Sequence, residues 1–350
     1  MKILVRATNW VGDAVMSLPA LAALRAHFPS AHIAMLARPW VADLYRHEPF
    51  ADEIIPYQPG SGWQGFQNRR TAARALQQQQ FDCALLLQNA FDAAFITWLA
   101  RIPRRIGYAR DGRGLLLTDA IARPRRGALP PHESFYYLEL LRQTGWLDTL
   151  PAEALIRLEG RFQARAAGQQ RWLDMGWTGP VIGVSPGAAY GNAKRWLPER
   201  FAEAAARIAA DTGARVALFG SGAEKQVAED IRLDLERRGV EARNFAGATS
   251  LGEFIERAAA CALVLTNDSG AMHIASALDV PTVTVFGATN HITTGPTGPR
   301  ARIVRHDVEC SPCMLRECPL DHRCMKAVSA AEVADVALEL LQIKGSEHPR

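Results

Sequence analysis

The sequence predicts an α/β protein of two doubly wound, Rossmann-like domains with parallel sheets. Three observations carry this. Strand-like apolar runs alternate with helical segments in both halves of the chain. The alternation restarts after Pro180, as if a second sheet begins there. At 350 residues the chain also exceeds the usual size of one hydrophobic core.

Lys2 to Arg6 is a short apolar strand. After a loop centred on Gly12, Ala14 to Phe28 has the composition of a helix, and Ile33 to Ala37 follows as a strand, completing a β-α-β unit. Glu53 to Pro56 and Cys83 to Leu87 are further strands, separated by enough chain for crossovers. Gly60 to Arg70 reads as a mobile loop, and Gln77 to Gln80 is the only low-complexity tract. The domain boundary is expected near Arg161 to Pro180, giving domains over 1–170 and 171–328.

The second half runs strand Val181 to Ser185, a glycine-rich loop, helix Pro198 to Thr212, strand Val216 to Gly220 and helix Glu224 to Arg238. Asn244 to Gly247 is a short strand and turn. Leu251 to Ala260 is helical, Leu263 to Thr266 a strand, Ala271 to Leu278 a helix and Thr282 to Phe286 a strand. A terminal helix, Ala330 to Leu341, belongs to a last segment, 329–350, expected to pack back on the first domain.

Composition excludes several classes. The 48% hydrophobic content suits a globular chain, and no run of about 18 uncharged apolar residues is present, so no transmembrane segment is expected. The first residues open a strand rather than a secretory signal, which predicts a soluble, cytoplasmic protein. Net charge is only +4, but residues 101–126 hold eight arginines against Asp111 and Asp119. That excess could meet an anionic partner or be a solvated face. No nucleic-acid motif accompanies it, and no nucleic-acid partner is expected. No Gly-x-Gly-x-x-Gly follows the first strand and no Gly-x4-Gly-Lys-Ser/Thr loop occurs, which disfavours dinucleotide dehydrogenases and P-loop enzymes. Four of the six cysteines, Cys310, Cys313, Cys318 and Cys324, crowd one segment. Reduced thiols are expected there; a zinc clip is the weaker alternative, because the spacings after Cys-x2-Cys fit no standard pattern.

Four loops at strand ends carry the candidate chemistry. Thr266-Asn267-Asp268-Ser269-Gly270, with His273, leads a strand into a helix, whose first N–H groups can take sugar or phosphate oxygens; the same residues commonly cap helices. Pro186, Gly187 and Ala188 begin a loop that lets backbone approach a ligand and ends at Lys194, one of only five lysines among 40 basic residues. Its compact ammonium suits a diphosphate oxygen. Gly220 and Ser221 lead to Glu224, placed either to accept ribose hydroxyls or simply to favour a helix start. Asp13, after Gly12, is either a general base or a helix cap.

Together, Val11-Gly12-Asp13 with Pro19, Ser185-Pro186-Gly187 with Lys194-Arg195-Trp196, Phe219-Gly220-Ser221 with Glu224, and the Asp268 loop with His273 resemble the ADP-heptose:lipopolysaccharide heptosyltransferases over nearly the whole chain. Overall likeness is greatest to the type II members, which add the second heptose of the inner core. The resemblance implies a GT-B architecture, two Rossmann-like domains facing a central cleft, and inverting transfer of L-glycero-D-manno-heptose from ADP-heptose. It implies that Asp13 is the base, Lys194 the diphosphate ligand, Glu224 the ribose ligand and Asp268 the group holding the donor heptose. The acceptor would be heptosylated Kdo-lipid A, met at the cytoplasmic face of the inner membrane by a peripheral enzyme. Arg69, Arg70, Arg101, Arg104 and Arg105 are the candidates for its phosphates and acidic sugars. No cofactor and no metal is expected, since the sequence lacks an Asp-x-Asp pair and Lys194 with loop N–H groups can hold the diphosphate. The competing readings are type I specificity, another nucleotide-sugar glycosyltransferase or an epimerase, and a non-catalytic nucleotide-sugar binding protein; the last would need no base at Asp13.

Overall fold

The computed structural model describes residues 1–342; the tail 343–350, expected to follow the last helix, lies outside the described residues. The chain divides into two units, one over Met1–Leu155 and one from Ile156 onward.

The first unit contains β1 (Lys2–Arg6), α1 (Val11–Met16), α2 (Leu18–His27), β2 (His32–Ala37), α3 (Pro39–Ala42), β3 (Glu53–Pro56), α4 (Gly62–Gln78), β4 (Cys83–Leu86), α5 (Phe91–Leu99), β5 (Arg104–Tyr108), β6 (Asp119–Ile121) and α6 (Ser134–Gln143). The strands form one parallel sheet in the order β3-β2-β1-β4-β5-β6. Its central strands are almost wholly apolar because helices cover both faces. Leu4, Ala34, Leu86, Ala93 and Ile96 form part of one buried cluster on it.

Two expectations change here. The predicted helix over Ala14 to Phe28 is two helices, broken at Ser17, whose hydroxyl donates to the Ala14 carbonyl at 2.8 Å; Pro19, lacking an N–H, then fits the first turn of α2. The predicted mobile loop over Gly60 to Arg70 is instead mostly the start of α4. Gly60 and Gly62, at φ +74° and +58°, give the loop signal, but the Gln, Arg, Ala and Leu residues beyond them favour helix. Gly65 lets that helix settle on its own entry, since a Cβ there would lie 2.8 Å from the Gly60 carbonyl carbon.

The second unit contains α7 (Arg161–Asp174), β7 (Val181–Ser185), α8 (Pro198–Thr212), β8 (Arg215–Leu218), α9 (Lys225–Arg237), β9 (Ala242–Asn244), α10 (Leu251–Ala259), β10 (Leu263–Asn267), α11 (Gly270–Ala277), β11 (Thr282–Val285), α12 (His291–Thr294), β12 (Ala301–Val304), α13 (Arg323–Ala327) and α14 (Ala330–Gln342). Its parallel sheet has the order β12-β11-β10-β7-β8-β9. In each unit the first strand sits beside the fourth, so the winding reverses between β1 and β4 and again between β7 and β10. The carboxyl ends of those strand pairs are where doubly wound sheets hold ligands.

The division falls earlier than the sequence suggests, because α7 packs on α10 of the second unit. Gly168 permits this approach: a Cβ there would lie 1.9 Å from the Glu256 carbonyl oxygen. α14 packs on α8 and beside β11 and β12, burying Val333, Ala337 and Leu340 in one cluster with Phe201, Ala205 and Ile208, so its apolar stripe is satisfied within the second unit.

Candidate active site

In the second unit the loops after β7 and β10 meet at the winding reversal. Asn267, fully buried at the end of β10, donates from Nδ2 to the Pro186 carbonyl at 2.7 Å and accepts from the Trp196 N–H at 2.9 Å. One amide thus ties both ends of the loop that carries Lys194. Trp196, itself buried, donates its indole N–H to the Val328 carbonyl at 3.2 Å and anchors the loop's exit. Held this way, the Lys194 ammonium lies 2.6 Å from Asp268 Oδ2. The Thr289 hydroxyl, after β11, donates to that same carboxylate oxygen. Lys194 also stands 4.8 Å from the centroid of the Tyr190 ring. A cation, a carboxylate and two hydroxyl-bearing side chains therefore share one partly shielded spot.

Glu224 links the neighbouring loops. Its Oε2 accepts from the Ser221 N–H at 2.7 Å and from the Ser221 hydroxyl at 2.9 Å, a capping box at the entry to α9. The carboxylate lies directly on Gly187, where a Cβ would be 1.8 Å from Glu224 Oε1, and against Gly220, where a Cβ would be 3.1 Å from Glu224 Oε2. The capping and ligand readings are thus not exclusive: the cap fixes the carboxylate beside the glycine of the neighbouring strand-end loop. Ala188 is buried, and its carbonyl accepts from Arg195 at 3.4 Å. Ser269 precedes α11, which Gly270 opens, and its hydroxyl is 3.2 Å from that of Thr266; His273 is buried one turn on.

Sequence reasoning missed Thr289, Tyr190 and the role of the cysteine segment. Residues 310–318 run as a strap along both loops. The Arg316 carbonyl accepts from the Ala193 N–H at 3.1 Å while its Nε donates to the Tyr190 carbonyl at 3.1 Å, and its guanidinium carbon is 5.3 Å from the Tyr190 ring centroid. The Tyr190 hydroxyl donates to Met314 O at 3.0 Å, the Cys318 N–H to Asn192 Oδ1 at 3.0 Å, and the Met314 N–H to Ala288 O at 2.7 Å. The strap therefore holds the backbone beside Lys194 and beside Thr289 together. All four cysteines of the segment are free thiols; burial pushes that of Cys324 up, with Cys310, Cys313 and Cys318 adding to the effect. Among the described residues no three His, Cys, Asp or Glu side chains converge as a metal site.

In the first unit Asp13 lies in the first turn of α1, at the carboxyl end of β1. Burial pushes up the phenols of Tyr45 and Tyr137, and the Asp13 charge adds to both shifts. Beside this turn Arg6 is fully buried, bonded to the carbonyls of Ala7 and Leu36 and to Asn9 Oδ1, and burial with the Arg38 charge lowers it to about 10. Arg69, on α4, pairs with Asp92 of α5 at 2.6 Å on the same edge of the sheet.

The other predicted arginines are elsewhere. Register pairs Arg104 with Cys83 and Arg105 with Ala84, at the amino ends of β5 and β4, and Ile3 of β1 is level with Cys83. Arg101, Arg104 and Arg105 therefore lie at the sheet edge opposite Asp13. Arg104 pairs with Asp119 at 3.0 Å and Arg105 donates to the Leu116 carbonyl at 2.7 Å, so both knit β5 to its surroundings. Arg113, in the same arginine-rich stretch, is wholly buried and donates to the Tyr108 and Gln88 carbonyls and to Asn89 Oδ1. Much of the charge excess over 101–126 is structural.

Comparison with known proteins gives a consistent result. Residues 69–323 match Glycosyltransferase family 9 (heptosyltransferase). Lipopolysaccharide heptosyltransferase 2 of Escherichia coli strain K12 is 33% identical over 310 residues, covering 87% of this chain and 88% of that protein. Lipooligosaccharide heptosyltransferase 2 of Haemophilus ducreyi is 32% identical over 320 residues, covering 87% and 88%. The structure of E. coli ADP-heptose lps heptosyltransferase II superposes with a TM-score of 0.85 at 30% identity, covering 99% of this chain and 100% of that one.

Proposed function

This chain belongs to glycosyltransferase family 9, the heptosyltransferases, and from that premise we propose that it transfers L-glycero-D-manno-heptose from ADP-heptose to the first heptose of the lipopolysaccharide inner core. The acceptor is heptosylated Kdo-lipid A, met at the cytoplasmic face of the inner membrane. The observation that carries the donor side is the Lys194–Asp268–Thr289 cluster at the winding reversal of the second sheet.

In the proposed reaction an acceptor hydroxyl attacks the anomeric carbon and ADP departs from the opposite face, inverting the configuration. Asp13 takes the hydroxyl proton as the new C–O bond forms. Negative charge grows on the departing diphosphate, and Lys194, together with the N–H groups at the start of α11, stabilises it without having to reorganise. Asp268 holds the donor heptose through its hydroxyls and orients the ammonium. Glu224, whose carboxylate sits in the space that the missing side chains of Gly187 and Gly220 leave open, accepts from the ribose hydroxyls. Pro186, Ala188, Ser221, Ser269, Gly270 and His273 shape the same loops.

The test is a transfer assay with ADP-heptose and a core acceptor ending in one heptose, read by product mass. A gain of one heptose supports the proposal. Transfer only to an acceptor that lacks the first heptose would assign type I specificity, and consumption of the donor with no acceptor product would remove the transfer itself.

A further inference from the structure

The first unit carries an exposed aromatic surface that neither its core nor the donor loops use. On α4, Trp63 is 72% and Phe66 38% exposed, and their rings stack with centroids 5.7 Å apart. The Arg70 guanidinium carbon is 5.9 Å from the Phe66 centroid, and Arg74 is exposed one turn further on. Positions 63, 66, 70 and 74 follow the i, i+3, i+7, i+11 spacing of a single stripe, away from the buried Gly65 and Leu76. On α5, Phe91, Phe95 and Trp98 follow i, i+4, i+7 and stack with centroids 5.9 and 6.0 Å apart; Phe91 and Trp98 are about half exposed. The two helices pack on each other, joined by the Arg69–Asp92 pair. Asp92 is the only acidic residue on either helix and is already neutralised, whereas α4 alone carries three arginines.

Two exposed aromatic rows on neighbouring helices remain in water at a cost, and exposed apolar surface of this kind marks a binding face. The chemistry of the face selects its occupant. Cores of protein interfaces are depleted of charge, but here Arg70 and Arg74, which pair with no acidic side chain among the described residues, run along the same stripe as the rings of α4. Trp rings settle at the headgroup level of a bilayer and Phe rings on the apolar face of a helix lying in it, and arginine is drawn to anionic headgroups at about 1 kcal/mol each. We propose that the α4–α5 stripe docks this protein on an anionic lipid surface, with both helices lying in the plane of the headgroups. The proposal deepens the function above and rests on it only for the acceptor's being anchored in that membrane.

The experiment compares full-length wild type with the exposed-site variant Trp63→Gln, Arg74→Gln, Trp98→Gln. Binding is measured by co-sedimentation with phosphatidylglycerol/phosphatidylethanolamine vesicles and with phosphatidylcholine vesicles. Transfer to a deacylated, water-soluble acceptor is measured alongside. Wild type is expected to sediment with the anionic vesicles, to release as salt rises, and to bind phosphatidylcholine poorly. The variant is expected to bind the anionic vesicles at least about tenfold more weakly, with unchanged transfer to the soluble acceptor. Equal vesicle binding by variant and wild type overturns the proposal, as does wild-type binding that ignores lipid charge. So does a wild type that binds no vesicle but changes its oligomeric mass on substitution, which would make the face a contact between copies. Failure to use the soluble acceptor at all counts against the heptosyl-transfer reading instead, because vesicle binding is read without it.

Discussion

Lys194 Nζ and Asp268 Oδ2 are 2.6 Å apart, with side chains only 13% and 4% exposed. Removing one member of a shielded ion pair leaves the other charge without a partner, which is costlier than losing both. Lys194→Ala is therefore expected to lower the transfer rate by about 10²- to 10³-fold and to raise the Michaelis constant for ADP-heptose. Asp268→Ala is expected to do comparable damage, because the ammonium loses the group that aims it. The double variant should be little worse than the poorer single one, since the two act as a unit. Losses that multiply instead would show that they act independently.

The Glu224 carboxylate beside Gly187 makes a second, opposite test. Gly187→Ala forces a Cβ into a space 1.8 Å from Glu224 Oε1, so donor binding should weaken by more than about tenfold, equivalent to 1.4 kcal/mol. Glu224→Ala leaves Gly187 free of any clash but removes the proposed ribose acceptor and the cap on Ser221. Inhibition constants for ADP and for inorganic pyrophosphate, which lacks the ribose, measure the difference: if Glu224 reads the ribose, Glu224→Ala weakens ADP and leaves pyrophosphate binding alone.

Asp13 differs from these in acting on the acceptor. Asp13→Asn keeps the shape of the first turn of α1 but can no longer take a proton. Its turnover is expected to fall by about 10²- to 10⁴-fold, while ADP-heptose affinity, measured by calorimetry, stays within about twofold of wild type. A variant that turns over normally removes Asp13 from the chemistry.

How far these residues are legible in the sequence depends on how local their signals are. β1, β7 and β10 stand out as apolar runs ending in turn residues, and the loops that follow them announce Asp13, Lys194 and Asp268. β5 and β6 escape notice because β5 opens with Arg104 and Arg105 and β6 has three residues. Thr289 reaches Asp268 from 21 residues away, and Asn267 ties down Pro186 from 81; no short window contains either partnership. The arginine excess misleads for a related reason. Charge counting treats every guanidinium as solvated, yet Arg113 is buried among carbonyls, and strand register places Arg104 and Arg105 at the wrong end of the sheet. Conversely, the glycines at the entry to α4 read as a loop because their positive φ angles are real, while the helix they launch is set by the residues after them.

The Arg104–Asp119 pair separates a structural role from an acceptor-binding one. Arg104 holds the Asp119 carboxyl below its ordinary range, with the Thr118 hydroxyl assisting against partial burial. A depressed carboxylate contributes stability above its unfolded value and loses it as pH falls through the folded one, so the benefit is present at neutral pH and fades in acid. The pair is half-exposed, which limits it to about 1 kcal/mol or less. Arg104→Ala should therefore lower the melting temperature slightly at pH 7, converge with wild type in acid once the pH has fallen through the lowered Asp119 value, and leave the acceptor Michaelis constant unchanged. A large rise in that constant would return Arg104 to the acceptor site.

The strap offers the last test, because Arg316 touches the Lys194 loop in two separable ways. Its carbonyl accepts from the Ala193 N–H, which Arg316→Ala preserves; its guanidinium lies on Tyr190 and bonds that residue's carbonyl, which the same substitution removes. Gly191→Ala attacks the other contact, since a Cβ there would lie 2.0 Å from the Arg316 carbonyl oxygen and must push the strap away. If the strap positions Lys194, Gly191→Ala should raise the donor Michaelis constant by about tenfold or more, the scale of a lost charge-assisted hydrogen bond. Arg316→Ala should act more weakly in the same direction, and Arg316→Lys should recover part of the loss through the Tyr190 ring. Neither should change vesicle binding by the first unit. Donor kinetics that stay at wild-type values in Gly191→Ala, with the fold intact by thermal melting, would show that Lys194 is held by Asp268 and Asn267 alone.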